Sequence, residues 1–257
     1  VEIYQHFRKE EHAFIDQVIH WREAVEQRYV PKLTDFLHPR ELFIIQSIIG
    51  QANDIQWQAF GGLQNAERKR VVIAPYYETI EEQDYELVLL EASYPNKFVT
   101  IEHRDVLGSC MSLGVKREKT GDMYVHEDRI QIVVAKGIAP YVMMNLTNIK
   151  KATIQFEEKS LDCIVSKQED WLDTNGTVSS LRLDTVLNEI YHLSRQKASQ
   201  YIQKGYVKVN FRIVEDPAFL LQKDDMISLR GKGRSQIKDI EGKTKKDKWR
   251  ITTAILK

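Results

Sequence analysis

Apolar residues recur at helical spacing near the start of the chain. Phe14, Ile15, Val18, Ile19, Trp21 and Val25, with Arg22 among them, form a stripe between charged faces, and Pro31 closes the segment. Pro39 opens a second helix, since proline is favoured at a first helical position, and Leu42, Ile45, Ile48 and Ile49 give it an apolar face. Alternation then replaces helical spacing. DIQWQAF, the turn GGLQNAE and the return RKRVVIAP predict a β-hairpin over residues 54–74, with Gly61 and Gly62 free to take positive φ.

Residues 84–158 predict a strand (YELVLLEASY), a helix from Asp105 to Val115 opened by His103-Arg104-Asp105, a short strand and turn (GDMYVHED), a strand (RIQIVVAK), a helix from Ile138 to Ile149 and a last strand (KATIQFEEK). That order is β-α-β-β-α-β, the split ferredoxin-like arrangement. RIQIVVAK lacks the aromatics with which an RNA-recognition motif stacks bases, so the strand face is not the expected platform for RNA. After it come a short strand (LDCIVS) and a polar connector (EDWLDTNGTVSS) with a turn signal at Asn175-Gly176.

The segment from Leu181 to Arg234 is the densest in elements. Leu183, Val186, Leu187 and Ile190 share one helix face, with Asp184 as a candidate cap. Ser194 is placed to cap a second helix, whose inner face holds Ala198, Tyr201 and Ile202, and Gly205 stands where a left-handed C-cap is wanted. YVKVN then predicts a strand, Asp224-Asp225 a turn, and MISLRG the return. Beyond Arg234, EGKTKKDKWRITTAILK predicts a turn with a cluster of Lys243, Lys245, Lys246 and Lys248, then a final strand. The expected fold class is α+β. It comprises an N-terminal helical region with a β-hairpin (1–75), a ferredoxin-like, RNA-recognition-motif-like domain (76–165), a linker (166–180), and a small α+β domain with a basic C-terminal extension (181–257).

Charge changes this picture. The chain has 37 Lys+Arg and 37 Asp+Glu, a net charge of zero. Residues 181–257 carry 17 basic and 9 acidic residues, a net of +8, which leaves 20 basic and 28 acidic residues, a net of −8, for residues 1–180. A basic module on an acidic body implies a polyanionic partner for the module. The two cysteines cannot build a metal cage and imply no disulfide framework, and His6, His12 and His20 read as surface histidines. No apolar run approaches the roughly 18 residues of a membrane span. The charged start VEIYQHFRKEEHAF has no signal-peptide core, and a cytoplasmic protein is expected.

Candidate chemistry is binding rather than catalysis. There is no phosphate loop of the G-x-x-x-x-G-K-[ST] type, no dinucleotide fingerprint and no Cys/His metal spacing, so no cofactor or metal is expected. His103-Arg104-Asp105 mimics a kinase catalytic loop, but Cys110 stands where that loop needs Asn. The expected RNA-binding residues are Arg182, Ser194, Arg195, Lys197, Lys204, Lys208, Asn210, Arg230, Lys232 and Arg234, near helix ends and strand edges where guanidinium and ammonium groups reach phosphate. Possible secondary contacts are Arg68, Lys69 and Arg70 in the hairpin, Arg104, and Lys116, Arg117 and Lys119 in the glycine-bounded loop GVKREKTGD.

The pattern Arg182-Leu183-Asp184, Leu187, Ser194-Arg195, Ala198, Ile202, Gly205 and Val207-Lys208-Val209-Asn210 resembles the S-four-type RNA-binding domain. Phe211 and Asp224 stand where that domain usually has glycine. Over its full length the chain resembles the YlmH family. The resemblance rests on Gly61-Gly62 with Ala66-Glu67-Arg68-Lys69-Arg70, and on His103-Arg104-Asp105-Val106-Leu107-Gly108 running to Gly114-Val115-Lys116-Arg117-Glu118-Lys119-Thr120-Gly121-Asp122. It implies a non-catalytic, monomeric, ribosome-associated protein that binds structured RNA, namely rRNA and tRNA. The family is linked to ribosome-associated quality control, in which a stalled large subunit still carries peptidyl-tRNA and C-terminal tailing extends the nascent chain. Its genes lie beside cell-division genes. Two other readings stay open: an RNA-modifying enzyme of pseudouridine-synthase type, and a cell-division scaffold.

Overall fold

The helical stripe at the start forms α1 (His12–Arg28), which buries Ile15, Val18 and Val25 and ends on Tyr29 in the left-handed region, φ 55°. The structure, a computed structural model, describes residues 3–50, 54–165 and 170–256. The chain divides into two compact units, Val1–Lys167 and Gln168–Lys257.

In the first unit, α1 and α2 (Pro39–Ile49) pack on a three-stranded sheet of β1 (Lys32–Leu33), β2 (Ile55–Phe60) and β3 (Arg70–Pro75), in the order β1-β3-β2. Pro39 is the first residue of α2, as its fixed φ favours. The expected hairpin is β2–β3, paired from Ile55↔Pro75 to Phe60↔Arg70. Gly62 takes φ +93°, and at Gly61 a Cβ would lie 2.3 Å from the Arg68 carbonyl oxygen, so neither site accepts a larger residue without a shift.

The same unit continues with β4 (Leu87–Ser93), α3 (His103–Ser112), β5 (Thr120–Val125), β6 (Arg129–Ala135), α4 (Ala139–Asn145), β7 (Asn148–Ile149), β8 (Ala152–Thr153) and β9 (Glu157–Lys159). β4, β5, β6 and β9 form an antiparallel sheet in the order β5-β6-β4-β9. The expected last helix is shorter than its predicted span. The expected strand 151–159 is broken into β8 and β9, because the chain first turns through Lys150 at φ 53° to make the β7–β8 hairpin. Leu146, Ile149, Ala152, Ile154 and Phe156 all reach the core from this segment, the last three at the alternate spacing of extended chain.

Both faces of this sheet are covered. One face carries Val88, Leu90, Ile130, Ile132 and Val134 against Val106 and Cys110 of α3 and Val142 of α4. The other carries Leu89, Val133 and Ala135 beneath Phe36, Leu161 and Ile164. There the buried Gln131 donates to Glu91 Oε2 at 2.6 Å and to the Cys163 carbonyl at 2.8 Å.

The second unit begins where a linker was expected. Residues of the polar connector form β10 (Trp171–Val178), paired along its length with β15 (Trp249–Leu256). Asn175-Gly176 makes no turn. Gly176 lies inside the strand because Glu189 crosses it: a Cβ there would sit 2.5 Å from Glu189 Oε1. α5 (Leu183–Tyr191) and α6 (Arg195–Gln203) follow, then β11 (Val207–Val209), β12 (Arg212–Ile213), β13 (Met226–Leu229) and β14 (Gly233–Lys243). The sheet order is β10-β15-β14-β13-β11-β12. Leu183, Val186, Leu187 and Ile190 of α5 and Ala198 and Ile202 of α6 pack on Val207, Ile227, Leu229, Ile237 and Ile251 of this sheet. Burying one such side chain contributes about 1.5–3 kcal/mol.

Candidate nucleic-acid interface

α5 and α6 stand close because only a short turn joins them. His192 takes the left-handed region at φ 51°, and Ser194 Oγ accepts the Lys197 N–H at 3.2 Å to start α6. Gly205, φ +69°, ends α6 as its position predicted. The cap of α5 is Arg182, not Asp184. Asp184 lies one residue inside the helix, and its buried carboxylate does a different task. It accepts Arg182 Nε and Nη2, both at 3.0 Å, and Arg195 Nε at 3.1 Å. Burial alone would raise the Asp184 pKa, but the hydrogen bonds from Arg182 and Arg195 outweigh it and hold the carboxyl below its ordinary value.

This carboxylate fixes two guanidinium groups from two helices at one surface point. The Arg182 side chain is 36% exposed and that of Arg195 60%, against 3% for Asp184. Each guanidinium has five N–H donors in a planar fork, so the edge given to Asp184 leaves donors for a phosphate oxygen. Holding the forks beforehand reduces the side-chain entropy lost on binding.

A second feature runs from α6 to the β13–β14 turn. Lys197 Nζ lies 6.0 Å from the Tyr201 ring centre, the Tyr201 and Tyr206 rings are 6.2 Å apart, and Arg230 lies 5.3 Å from the Tyr206 ring centre. The Arg230 N–H also donates to the Tyr206 carbonyl at 2.9 Å. The rings orient the cations through cation–π attraction. Tyr201 is half-buried: it packs against the core, as expected of the inner face, and its ring also belongs to this stripe. Lys204, Lys208 and Lys232 are exposed and Arg234 is half-buried in the same unit.

Other expected RNA contacts are committed elsewhere. Asn210 is buried: its Nδ2 donates to Asp225 Oδ1 at 2.8 Å and its Oδ1 accepts the Met226 N–H at 3.0 Å. It fastens a tight turn in which Asn210 and Phe211 both have positive φ, 48° and 69°, so the turn keeps a glycine-like shape although Phe211 replaces glycine. Ser194 serves its helix through the cap already described.

In the first unit the basic cluster around the hairpin faces inward. Arg68 and Arg70 are buried. Arg68 donates to the Phe36 carbonyl at 2.9 Å and the Thr120 carbonyl at 3.3 Å. Arg70 donates to the carbonyls of Thr34 at 2.8 Å, Tyr85 at 2.9 Å and Glu86 at 3.2 Å. Burial pulls both guanidinium pKa values down from the ordinary arginine value. Neither group is presented to a phosphate.

The loop GVKREKTGD is a fastener rather than a mobile basic loop. Arg117 Nη1 donates to the Thr120 and Gly121 carbonyls at 2.8 and 2.9 Å, and Lys119 Nζ to Asp35 Oδ1 at 2.6 Å. The Asp122 carboxylate accepts the N–H groups of Glu67 at 2.7 Å and Arg68 at 3.1 Å, tying the β2–β3 turn to β5. Gly121 has no side chain because Phe36 covers it; a Cβ would lie 2.6 Å from that ring. Lys69 Nζ donates to the Gln64 carbonyl at 2.6 Å. Lys116 is paired with Glu118 at 3.9 Å and Arg104 with Glu102 at 2.9 Å, and both cations remain on the surface. Among the described residues no group of His, Cys, Asp and Glu could hold a metal ion, and no helix is long and apolar enough to cross a membrane.

Three features escaped the sequence reading: the double hold of Asp184, the Tyr201–Tyr206 stripe and the tie at Asp122. The i, i+4 spacing of Lys197 and Tyr201 carries a local signal for part of the stripe. The Tyr206–Arg230 contact depends on the pairing of β11 with β13, which no local pattern reveals.

The helix pair and the strands after it match the "S4 domain" model over residues 181–227. Residues 10–78 match "YlmH, N-terminal", and residues 81–163 match "Putative RNA-binding domain in YlmH". The second unit thus contains an S4 domain, attached to a body with its own family signature. A curated relative, "Ribosome-associated protein quality control protein P2" of Bacillus subtilis, is 45% identical over 251 residues, 98% of this chain and 97% of that protein. "Small ribosomal subunit protein uS4c" of Eimeria tenella is 42% identical over 53 residues, 20% of this chain and 26% of its own length. The solved structure "Cell division protein ylmH from Streptococcus pneumoniae" is similar with a TM-score of 0.55 and 29% identity, covering 63% of this chain and 99% of that one. The chain belongs to the YlmH family.

Proposed function

We propose that this protein is a non-catalytic RNA-binding factor of ribosome-associated quality control. Its second unit grips RNA backbone through Arg182 and Arg195, with Lys197 and Arg230 extending the grip. One observation carries the reading: a buried carboxylate holds two guanidinium groups, from two helices, outward at one point. The name of the Bacillus subtilis relative supports the setting. The RNA is large-subunit rRNA together with the peptidyl-tRNA of a stalled particle, and the protein acts as a monomer in the cytoplasm.

The test is co-sedimentation of the full chain with purified large subunits that carry peptidyl-tRNA, compared with subunits stripped of it. Binding that falls steeply with salt, and that falls about 100-fold in the Arg195→Gln/Lys197→Gln variant, is the expected result; two charge-assisted contacts at about tenfold each give that figure. Arg182 is left intact because it supplies two of the three guanidinium hydrogen bonds to the buried Asp184, so the carboxylate stays paired when Arg195, which supplies the third, is replaced; a melting curve of the variant separates binding from folding. Equal binding by variant and parent would remove the assignment.

A further inference from the structure

The hairpin near the end of the chain carries a second group of cations, outside the segment 181–227 that matches the S4 model. β14 and β15 pair out to Lys243↔Trp249, and the tip runs from Thr244 to Lys248. The tip has a defined shape. The Thr244 N–H donates to the Lys248 carbonyl at 2.7 Å, the Asp247 N–H to the Thr244 carbonyl at 2.9 Å, and the Lys248 N–H to Thr244 Oγ1 at 3.2 Å. Lys243 is engaged from within the hairpin, 2.7 Å from Asp247 Oδ1 and 5.4 Å from the Trp249 ring centre. Lys245, Lys246 and Lys248 are exposed, and none of them has an ion-pair partner among the described residues.

Lysines on hairpins commonly protect an exposed strand edge from pairing with another chain. That role needs them on the edge itself. β13 pairs with β14 only from Gly233 to Gln236, so the exposed edge is the outer half of β14. The three lysines lie beyond the last paired residues, where there is no ladder to protect. A turn this short gains no fold stability from three ammonium groups of like charge; their effect is a local positive potential on a preformed projection.

We propose that the β14–β15 tip is a second phosphate-binding element, which takes RNA backbone through Lys245, Lys246 and Lys248 separately from the Arg182–Arg195 pair. The inference rests on the RNA-binding reading of the second unit. Ammonium groups read charge and not base identity, so the tip adds affinity and orientation without a sequence preference.

The test measures binding of fluorescently labelled bulk tRNA, and in parallel a large-subunit rRNA fragment, to the full chain across a salt series. The parent is compared with Lys245→Gln/Lys246→Gln/Lys248→Gln and with Arg195→Gln/Lys197→Gln. Three lost phosphate contacts lower the slope of log K against log salt by about 2.1–2.7, from about 0.7–0.9 per contact. Affinity in low salt falls about tenfold or more, and the thermal midpoint is unchanged because all three sites are exposed. Combining both sets lowers the slope by the sum of the two effects. A triple-lysine slope equal to the parent's, with the parent still binding, overturns the hairpin site and leaves the RNA reading standing. A parent that binds neither RNA overturns both.

Discussion

Arg68-Lys69-Arg70 and Arg195-Gln196-Lys197 look alike as short basic clusters, yet the fold uses them in opposite ways. The first lies at the start of β3, where its two arginines point inward and close onto backbone carbonyls of Thr34, Phe36, Tyr85, Glu86 and Thr120. The second lies in the first turn of α6, where the side chains stand exposed and one guanidinium is steadied by Asp184. A cation in a strand with both faces covered becomes part of the frame; a cation at a helix start over a small sheet becomes part of a surface. Charge count alone does not separate the two cases. What separates them is whether the element holding the cation is covered.

The comparison is tested most severely by Arg70→Ala. The substitution leaves three carbonyl groups without their donor and opens a gap, so the denaturation midpoint should shift by the equivalent of about 3–5 kcal/mol, while RNA affinity under folding conditions stays near that of the parent. A stable variant that has lost RNA binding would put the first cluster on the surface after all.

A second test uses pH. Burial, with the nearby Arg68 charge adding to it, lowers the His38 pKa from 6.5 to about 4. Between those values the unfolded chain takes up a proton that the folded chain refuses, so stability is present above pH 6.5 and is lost as pH falls toward 4. The loss attributable to His38 is at most about 3 kcal/mol. Glu41 and Asp122, both raised chiefly by burial, act in the opposite sense over part of this range. The difference between parent and His38→Asn isolates the histidine, since asparagine also caps a helix. Chemical denaturation at several pH values should give a shallower acid loss in the variant; parallel curves would show that His38 is protonated in the folded state.

The smallest expected effect concerns turn shape in the second unit. Asp224 is exposed and held at φ 68°, where the S-four pattern has glycine. Asp224→Gly should raise stability by up to about 1 kcal/mol, since glycine takes that region without strain. A thermal melt that moves down would mean that the aspartate side chain contributes more than its backbone strain costs.

Much of this was legible locally. The α1 stripe, Pro39 at the start of α2, the β2–β3 hairpin, the cap at Ser194 and the end at Gly205 each depend on residues within one turn of the feature. The connector did not reveal β10, because its partner β15 lies some seventy residues further on and a polar strand is stabilised only by that partner. The same holds for the site. Arg195 and Lys197 could be placed from helix ends alone. Nothing local showed that Asp184 would turn from a helix cap into the hold for two arginines, or that Arg68, Arg70 and Arg117 would be consumed by Phe36, Thr34 and Gly121, whose positions are set by other elements.

The most direct measurement is a paired titration of one large-subunit rRNA fragment with two variants, Arg195→Gln/Lys197→Gln and Arg117→Gln, each with its melting curve. Outward cations in the second unit and fastening cations in the first predict a crossed result. The first variant binds about 100-fold more weakly and stays folded, because Arg182 still pairs Asp184, with its melt lowered only by the loss of the Arg195 contact; the second melts at lower temperature with affinity unchanged while folded. Loss of binding in Arg117→Gln with an intact melt, or full binding by Arg195→Gln/Lys197→Gln, would contradict the account.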